Sequence, residues 1–208
     1  MDDAFVFVLV FGIIGAVFGF AFFAWWSSAP QVAKRTLRAM PEQPIGQLRP
    51  GQRVKVRGRV VVREALESPF HGWRCAYWQV KVEEKRGKHW HDRAVQHEGR
   101  AFFLEDATGR VYVDPAGDRL PLDLDRAGGS GTFDDPTPRE EAALVELGID
   151  PTTMLGFNRL LRFHEASLDE GEEVCAAGEV ALLEVDGEPV LALVPGQDGL
   201  IVSDAPDL

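Results

Sequence analysis

The chain has 208 residues and a formal net charge of −11. Hydrophobic residues make up 45% of it and charged residues 26%, which is the composition of a folded protein and excludes global disorder. Once an apolar N-terminal segment is set aside, roughly 175 residues remain, enough for one domain with its own core. The acidic total and the lack of a recognised nucleic-acid-binding motif disfavour nucleic acid as a partner.

The N-terminal segment predicts a membrane anchor. Residues 4–26 carry no charged side chain, and as a helix they would be about 34 Å long, against a hydrocarbon core of about 30 Å. A cleaved signal peptide is the alternative, but Asp2 and Asp3 stand where such peptides are basic, and the apolar run is too long. We therefore predict a transmembrane anchor over residues 1–29.

Charges beside the anchor predict its orientation. Lys34, Arg35 and Arg38 follow the apolar run, so the positive-inside rule places the C-terminal domain in the cytoplasm and the N-terminus outside. The prediction is a single-pass protein of the cell (inner) membrane. Gly15 and Gly19 have a spacing that would let two such helices approach closely in a homo-oligomer.

The first strand follows a short linker. Residues 30–44 predict a juxtamembrane segment with a helix over 31–40. Residues 53–63 alternate valines with basic side chains, which is typical of a half-buried strand. The basic row would contact lipid phosphates or an acidic partner, and the alternative is cross-strand pairing with acids such as Glu83. The row consists of Arg53, Lys55, Arg57 and Arg59.

Two further β elements come next. Residues 74–84 predict a second strand, and the charged residues 85–88 predict the turn after it. Residues 101–105 and 110–114 predict an antiparallel hairpin, with Gly109 in the left-handed conformation at its turn. The first half of the domain is therefore predicted to be almost entirely β.

A weak internal repeat links the two halves of the domain. The spacing of Gly51 and Gly58, with a valine between them, recurs 120 residues later at Gly171 and Gly178. Glycine inside a strand pattern marks a bulge or a sharp bend, which is how a short sheet is coiled. We therefore predict two similar coiled β units.

The second half opens with a change of composition. Residues 115–136 are rich in Asp, Gly and Pro and predict a flexible loop inside the domain. Thr137 begins a capping box before a short helix that ends at Gly148, and a second helical turn is predicted from Asp150. The chain then returns to strands at 162–168, 173–184, 189–194 and 200–203, with an Asp186-Gly187 turn, before a frayed tail over 204–208.

The predicted fold is mostly β. It comprises one transmembrane helix and a small OB-like coiled β-barrel or sheet domain over residues 45–203, with one or two short helices in a long insertion. Cys75 and Cys175 are the only cysteines, which is typical of a reducing compartment. Each is expected to fill a buried strand position.

No arrangement of residues in the sequence predicts catalysis. His89, His91 and His97 are candidate metal ligands, and the alternative is that they are solvated loop histidines. No nucleophile elbow precedes a serine, and His164 lies in a strand pattern without an evident partner. We expect no cofactor.

Three segments, 68–78, 103–115 and 165–179, resemble the GIDE domain, also called the beside-a-membrane (BAM) domain, of mitochondrial ubiquitin ligases. The similarity runs in order from about residue 45 to residue 194. The motif positions are Ser68, Pro69, Gly72, Cys75, Tyr77, Asp106, Gly109, Asp114, Pro115, Glu165, Gly171 and Gly178.

The resemblance implies a function without ligase chemistry. In the eukaryotic members this domain lies between two transmembrane helices, and a C-terminal zinc-binding RING recruits the ubiquitin-conjugating enzyme. This chain shows no second apolar span, and two cysteines cannot supply the ligands of a RING. The resemblance therefore implies a shorter, bacterial, RING-less form that supplies no catalytic residues.

We expect a membrane-anchored, non-enzymatic binding or sensory module that recruits a membrane or cytoplasmic protein, or lipid, at the bilayer surface. One alternative is a metal-dependent enzyme or metal carrier that uses the loop histidines. The other is a structural OB-like domain of an oligomeric membrane assembly.

Overall fold

The computed structural model describes residues 29–204 except 116, 118, 123, 131–134, 153–158 and 198. The predicted anchor over residues 1–29, with Gly15 and Gly19, lies outside the described residues except at position 29, as do most of the helical turn predicted from Asp150 and the tail from residue 205. Within the described ranges, no helix is both long enough and apolar enough to span a bilayer.

The described part of the chain forms two α-helices and eleven strands, with a short 3-10 turn at Ile45–Gln47. The helices and strands are α1 (Ala29–Ala39), β1 (Arg53–Val62), β2 (Leu66–Glu67), β3 (Arg74–Arg86), β4 (His89–Gly99), β5 (Phe102–Asp106), β6 (Gly109–Val113), β7 (Asp125–Ser130), α2 (Pro138–Glu146), β8 (Leu161–Asp169), β9 (Glu173–Val185), β10 (Glu188–Val194) and β11 (Ile201–Ser203).

The fold is mostly β, with curled sheets that form a half-barrel. The first sheet has the order β1-β5-β6-β10-β9-β11, and β1 also pairs with β9, so the path returns to its first strand. In the second sheet β3 pairs with β8, and β8 pairs with β7. On its other side β3 pairs with β2 at its beginning and with β4 along the rest.

The repeated pattern lies on two strands that pair with each other. Val54 is opposite Gly178, and Gly58 is opposite Val174. The valine of each repeated segment is thus opposite the second glycine of the other, in an antiparallel register. The two repeated segments therefore have equivalent positions in the β1–β9 pair.

The turns before these strands show the same equivalence. Gly51 N donates to Val180 O at 2.7 Å, and Gly171 N donates to Val60 O at 2.8 Å. Gly51 and Gly171 have φ angles of 83° and 81°, a region that favours glycine because it has no Cβ. The two strands and the turns before them are therefore equivalent, whereas the wider prediction of two similar coiled β units stays a prediction.

The glycines inside the two strands allow a close approach of backbone. A Cβ on Gly58 would lie 3.0 Å from Glu105 O, and one on Gly178 would lie 2.7 Å from Val194 O. The distance at Gly178 is too short for a Cβ, and the distance at Gly58 would need a small shift of the neighbouring strand. Each glycine therefore lets its strand pass tightly against the next strand of the curled sheet.

Most of the predicted elements are confirmed within one or two residues. Thr137 caps α2 with the reciprocal bonds of a capping box to Glu140, and Gly148 has a φ of 73° just after the helix. Asp186 and Gly187 have positive φ at the β9–β10 turn, as two-residue hairpins of this type require.

The prediction of a flexible loop over residues 115–136 is wrong for its described part. β7 lies there and pairs antiparallel with β8. Leu120 and Leu122 before it are buried in the main core. Gln79 Nε2 donates to Leu122 O at 3.0 Å, and Leu120 N donates to Tyr77 Oη at 3.0 Å. Apolar burial and main-chain hydrogen bonds therefore fix a segment whose composition suggested a loop.

The prediction for Gly109 is also wrong. The β5–β6 hairpin is present, but Gly109 is not among the described glycines with positive φ. The Asp106 carboxylate instead accepts from the backbone N–H groups of Thr108 at 2.6 Å and Gly109 at 3.0 Å. An aspartate-stabilised turn closes the hairpin without a left-handed residue.

Two helices cover the sheets from outside. Ala33 and Leu37 of α1 pack in one cluster with Cys175, Ala177 and Ile201 of the first sheet. Helix α2 contributes Ala143 and Leu144 to a cluster with the second sheet around Val80 and Phe163. Both cysteines are buried, as predicted, at 0% and 1% exposure.

Candidate functional site

The segment from Ser68 to Trp73, called here the 68–73 turn, connects β2 to β3. Ser68 N donates to Trp73 O, and Gly72 N donates to Ser68 O, both at 2.9 Å. Gly72 has a φ of 74°, which an L side chain rarely adopts. The chain therefore forms a closed turn with its own main-chain bonds.

A buried carboxylate from β8 holds this turn from below. Glu165 is 4% exposed and accepts from Phe70 N at 2.9 Å, His71 N at 3.1 Å and Ser68 Oγ at 3.2 Å. His71 Nδ1 lies 2.5 Å from the same carboxylate. Since an ionised carboxylate only accepts, Nδ1 carries the proton in this contact. Four donors therefore satisfy a charge that would be costly to bury alone.

Arg139 holds the same turn from the side. The capping box fixes the first turn of α2, where Arg139 is the second residue. Its guanidinium donates to Pro69 O at 3.1 Å, to Ser68 O at 2.9 Å and to Glu67 Oε1 at 2.7 Å. A Cβ on Gly72 would lie 2.5 Å from Arg139 Cζ. The guanidinium therefore packs directly on the glycine.

The outer side of the turn presents two aromatic rings. The His71 and Trp73 rings stack with centroids 4.2 Å apart and an interplanar angle of 15°. Trp73 is 50% exposed, one of the few large apolar side chains exposed in the described structure. The polar atoms of the turn are thus bonded inward, while its rings face outward.

A groove of about 410 Å³ adjoins the turn between α2 and the second sheet. Trp78 lies in it beside Glu98, its cross-strand neighbour on β4. Glu98 pairs with Arg100 at 2.8 Å, and Glu67 pairs with Arg139 at 2.7 Å. The lining is Leu66, Glu67, Pro69, Trp78, Glu98, Arg139, Ala142, Ala143 and Glu146. An aromatic ring with carboxylates around it favours a cationic group.

Ser68, His71 and Glu165 do not form the relay of a serine hydrolase. In that relay the imidazole lies between the serine and the carboxylate. Here Ser68 Oγ bonds to Glu165 and accepts from Trp73 N at 3.2 Å. The serine hydroxyl therefore closes the turn, and the three side chains stabilise the turn instead of forming a catalytic relay.

The structure brings the first group of motif positions together. Ser68, Pro69, Gly72 and Glu165 meet at the turn, and Cys75 and Tyr77 follow it on β3. Burial, with Asp169 and Glu165 adding to it, raises the pKa of the Cys75 thiol to about 12, so it stays protonated and unreactive at neutral pH. The other motif positions, Asp106, Gly109, Asp114, Pro115, Gly171 and Gly178, lie in or beside the first sheet.

The basic row of β1 is not uniformly exposed. Lys55 is only 7% exposed and lies 3.7 Å from Glu42. Arg57 lies 3.6 Å from Glu42 and 3.7 Å from Glu173. The acids that pair with the row are therefore on the linker and on β9, not at Glu83. Arg57 and Arg59 also border a groove of about 780 Å³ between the linker and the β5–β6 turn.

The three candidate metal ligands lie on a strand that the sequence did not predict. His89 and His91 are opposite Arg86 and Glu84 on β3, whereas His97 is opposite Gln79. Odd and even positions of β3 face opposite sides of the sheet, so His97 is on the other face. Its Nε2 lies 2.9 Å from Gly117 O. No metal-binding group of histidine, cysteine or carboxylate ligands occurs among the described residues.

Sequence reasoning missed two buried carboxylates at the far end of β3. Glu83 contacts Arg162, Lys81 and His164, and the hydrogen bond from Arg162 is the main reason that its pKa falls to about 2. For Glu84, burial raises the pKa, but hydrogen bonds from Arg159 and Arg86 outweigh it and lower the pKa overall. The sequence placed both residues at the end of the second strand and offered Glu83 only as a pairing acid for the basic row of β1. Their partners Arg159, Arg162 and His164 are distant in sequence and gave no signal.

No family model, no curated protein and no solved structure matches the chain. The resemblance to the GIDE domain therefore stays a prediction that rests on the motif positions themselves.

Proposed function

We propose that this protein is a membrane-anchored, non-enzymatic binding module that recruits a protein partner through the 68–73 turn and the adjoining groove. The observation that carries the proposal is the contrast within the turn. Glu165 and Arg139 hold its backbone, and the stacked rings of His71 and Trp73 remain exposed. A loop that is already ordered loses little conformational entropy on binding.

The chemistry of the site suggests what the partner presents. Tryptophan is enriched among the residues that dominate binding energy at protein interfaces. Glu67 and Glu98 already pair with arginines, so it is Trp78 and Glu146 in the groove that favour a lysine or arginine side chain. We infer a partner segment that covers Trp73 with apolar surface and places a cation in the groove.

The membrane part of the proposal rests on the sequence. Residues 4–26 have the length and composition of a spanning helix, and the motif positions resemble a domain found beside membranes. The return of the first sheet to β1 after five strands also favours an OB-like barrel as the finer description of the fold. The full-length protein should remain in the membrane fraction after alkaline extraction, and release into the soluble fraction would contradict the anchor.

Photo-crosslinking in the native membrane tests the partner site. A photoreactive residue at Trp73 should capture a protein, whereas the same residue at Leu182, which is 60% exposed on β9, should not. The captured protein, once identified and purified, should bind the full-length chain. Its affinity should fall by at least about tenfold with Trp73→Ala, as expected for a central tryptophan.

Two outcomes would overturn this function. Crosslinks from position 73 only to a second copy of the chain would favour the structural role in an oligomeric assembly. Turnover of a substrate by the purified protein, lost with His71→Ala but not with Trp73→Ala, would make the site catalytic.

A further inference from the structure

The end of the β3–β4 hairpin, residues 85–93, carries excess positive charge in an acidic chain. It contains four basic residues and one acid, Asp92, besides two histidines. The whole chain has a net charge of −11. This segment, called here the hairpin tip, is therefore a local exception to the charge of the protein. Its basic residues are Lys85, Arg86, Lys88 and Arg93.

Internal ion pairs do not remove this excess. The Glu84 carboxylate lies 3.0 Å from Arg86, 3.4 Å from Arg93 and 2.8 Å from Arg159. One negative charge is thus shared by three guanidinium groups. The buried acid organises the cations and leaves a net positive surface around it.

Two lysines of the tip are available to an external anion. Lys85 and Lys88 are exposed, and neither has an ion-pair partner within the part of the chain that the structure describes. Trp90 is the cross-strand neighbour of Lys85, and the Arg162 guanidinium lies 4.5 Å from its ring centroid. The tip therefore combines exposed cations with an aromatic side chain, a combination suited to the interface of a bilayer.

The basic row of β1 is less suited to binding an external anion. Lys55 is buried, and Arg57 contacts Glu42 and Glu173. Arg59 is exposed on β1, but the hairpin tip presents two exposed lysines on one short turn. We propose that the hairpin tip docks on the anionic lipid headgroups of the bilayer, as a second contact besides the N-terminal segment. The proposal rests on the membrane location in the proposed function but not on the partner site.

The distribution of charge favours a lipid surface over a nucleic acid. Residues 101–208 hold 24 acidic and 6 basic side chains, which would repel an extended polyanion lying along the domain. A flat membrane meets only the tip. Acidic surface farther away than a Debye length of about 8 Å is screened from it.

A fluorophore on the tip tests the contact in the full-length chain. It is attached at His89→Cys, because the native thiols of Cys75 and Cys175 are buried. The protein is reconstituted in nanodiscs of phosphatidylcholine, alone or with phosphatidylserine at about three to one. Quenching by a headgroup spin label should be at least about twofold greater with phosphatidylserine and should weaken at high salt.

Charge reversal identifies the residues responsible. Lys85→Glu with Lys88→Glu should abolish the phosphatidylserine-dependent quenching. Arg49→Glu with Arg59→Glu, two exposed arginines outside the tip, changes the net charge equally and should leave the quenching intact. If the first pair fails to fold, as judged by circular dichroism, Lys85→Gln with Lys88→Gln replaces it.

Several results would overturn the proposal. Equal quenching in the two lipid compositions would do so, as would loss of quenching with the Arg49 and Arg59 variant alone, which would assign the lipid contact to β1. Salt-sensitive binding of duplex DNA or of RNA that needs Lys85 and Lys88, without lipid-dependent quenching, would make the tip a nucleic-acid site. A chain that leaves the nanodiscs contradicts only the anchor, and the labelled tip must then bind phosphatidylserine vesicles for the proposal to hold.

Discussion

Both ends of the second sheet bury carboxylates, but different kinds of donor satisfy them at each end. At the 68–73 turn, the buried Glu165 is satisfied by backbone N–H groups, a hydroxyl and an imidazole. Beside the hairpin tip, the carboxylates of the buried Glu83 and Glu84 are bonded mainly to arginine and lysine. Backbone N–H groups and a hydroxyl add no charge to the nearby surface, whereas arginine and lysine donors do.

This difference decides what each end can recognise. The turn exposes a histidine and a tryptophan on a fixed backbone, which suits contact with a protein. The tip exposes ammonium and guanidinium groups, which suit contact with anionic headgroups. A buried carboxylate therefore predicts the nature of the nearby surface through the donors that surround it.

Removal of the carboxylate at the turn should have the largest effect. Glu165→Gln replaces two acceptor oxygens with one, so either the Phe70 N–H or the donors of Ser68 and His71 must face the amide NH2 group. We expect a loss of about 3 kcal/mol in the free energy of unfolding. Denaturant titration of the full-length protein measures it, with Glu146→Gln on the exposed face of α2 as control. A loss no larger than that of the control would mean that the turn does not depend on Glu165.

The carboxylate at the tip should be nearly as important and should depend on pH. Glu83→Gln should cost about 2 to 3 kcal/mol, because it leaves Arg162 and Lys81 without their shared partner. The folded-state pKa of Glu83 is about 2, below its ordinary 4.5. Its stabilisation is therefore fully present above about pH 4.5 and is lost as the pH falls toward 2. Stability measured between these pH values should fall less steeply in Glu83→Gln than in the wild type, and equal slopes would contradict the assignment.

The contact of Arg139 with the turn should contribute less to the free energy of unfolding. Gly72→Ala should cost about 1.5 kcal/mol, from the positive φ and from contact with the Arg139 guanidinium. In an Arg139→Ala background the contact disappears and only the φ strain remains, so the cost should be smaller. A double-mutant cycle on the free energy of unfolding measures this coupling. Additive effects would show that arginine does not restrain the turn.

The exposed ring should have the smallest effect on folding. Trp73→Ala should lower the free energy of unfolding by only about 1 kcal/mol, since half of the side chain is already in solvent and the rest is stacked mainly on His71. The same variant should lose the partner. If thermal unfolding shows a large loss of stability in this variant, Trp73 is a packing residue. The exposed ring would then be part of what holds the turn and not only a binding surface.

The sequence predicted the elements whose signals are local. Alternating valines marked β1, the capping box at Thr137 marked α2, and the Asp186-Gly187 pair marked the β9–β10 turn. Each of these signals acts within a few residues of the chain. The repeat of Gly51 and Gly171 also pointed to the equivalent turns before β1 and β9.

The elements that were missed depend on distant partners. β4 is a polar edge strand without alternation, and it is ordered by pairing with β3. β7 contains two adjacent glycines and is ordered by pairing with β8. Glu165 was noticed as a motif position, but its role depends on a turn more than ninety residues away. Lys55 was predicted to lie on an exposed basic face, but it is buried beside Glu42 of the linker.

The pairing of β1 with β9 has a consequence for synthesis on the ribosome. β1, the first strand of the domain, pairs with β9, which is synthesised near the end of the domain. Val54 can therefore pair with Gly178 only after residue 178 has left the ribosome. Local hairpins such as β5–β6 can form while translation continues, since they close short loops. The first sheet then closes only after nearly the whole of this domain has been made. A truncated nascent chain would carry an open edge on β1, available to chaperones until the C-terminal strands arrive.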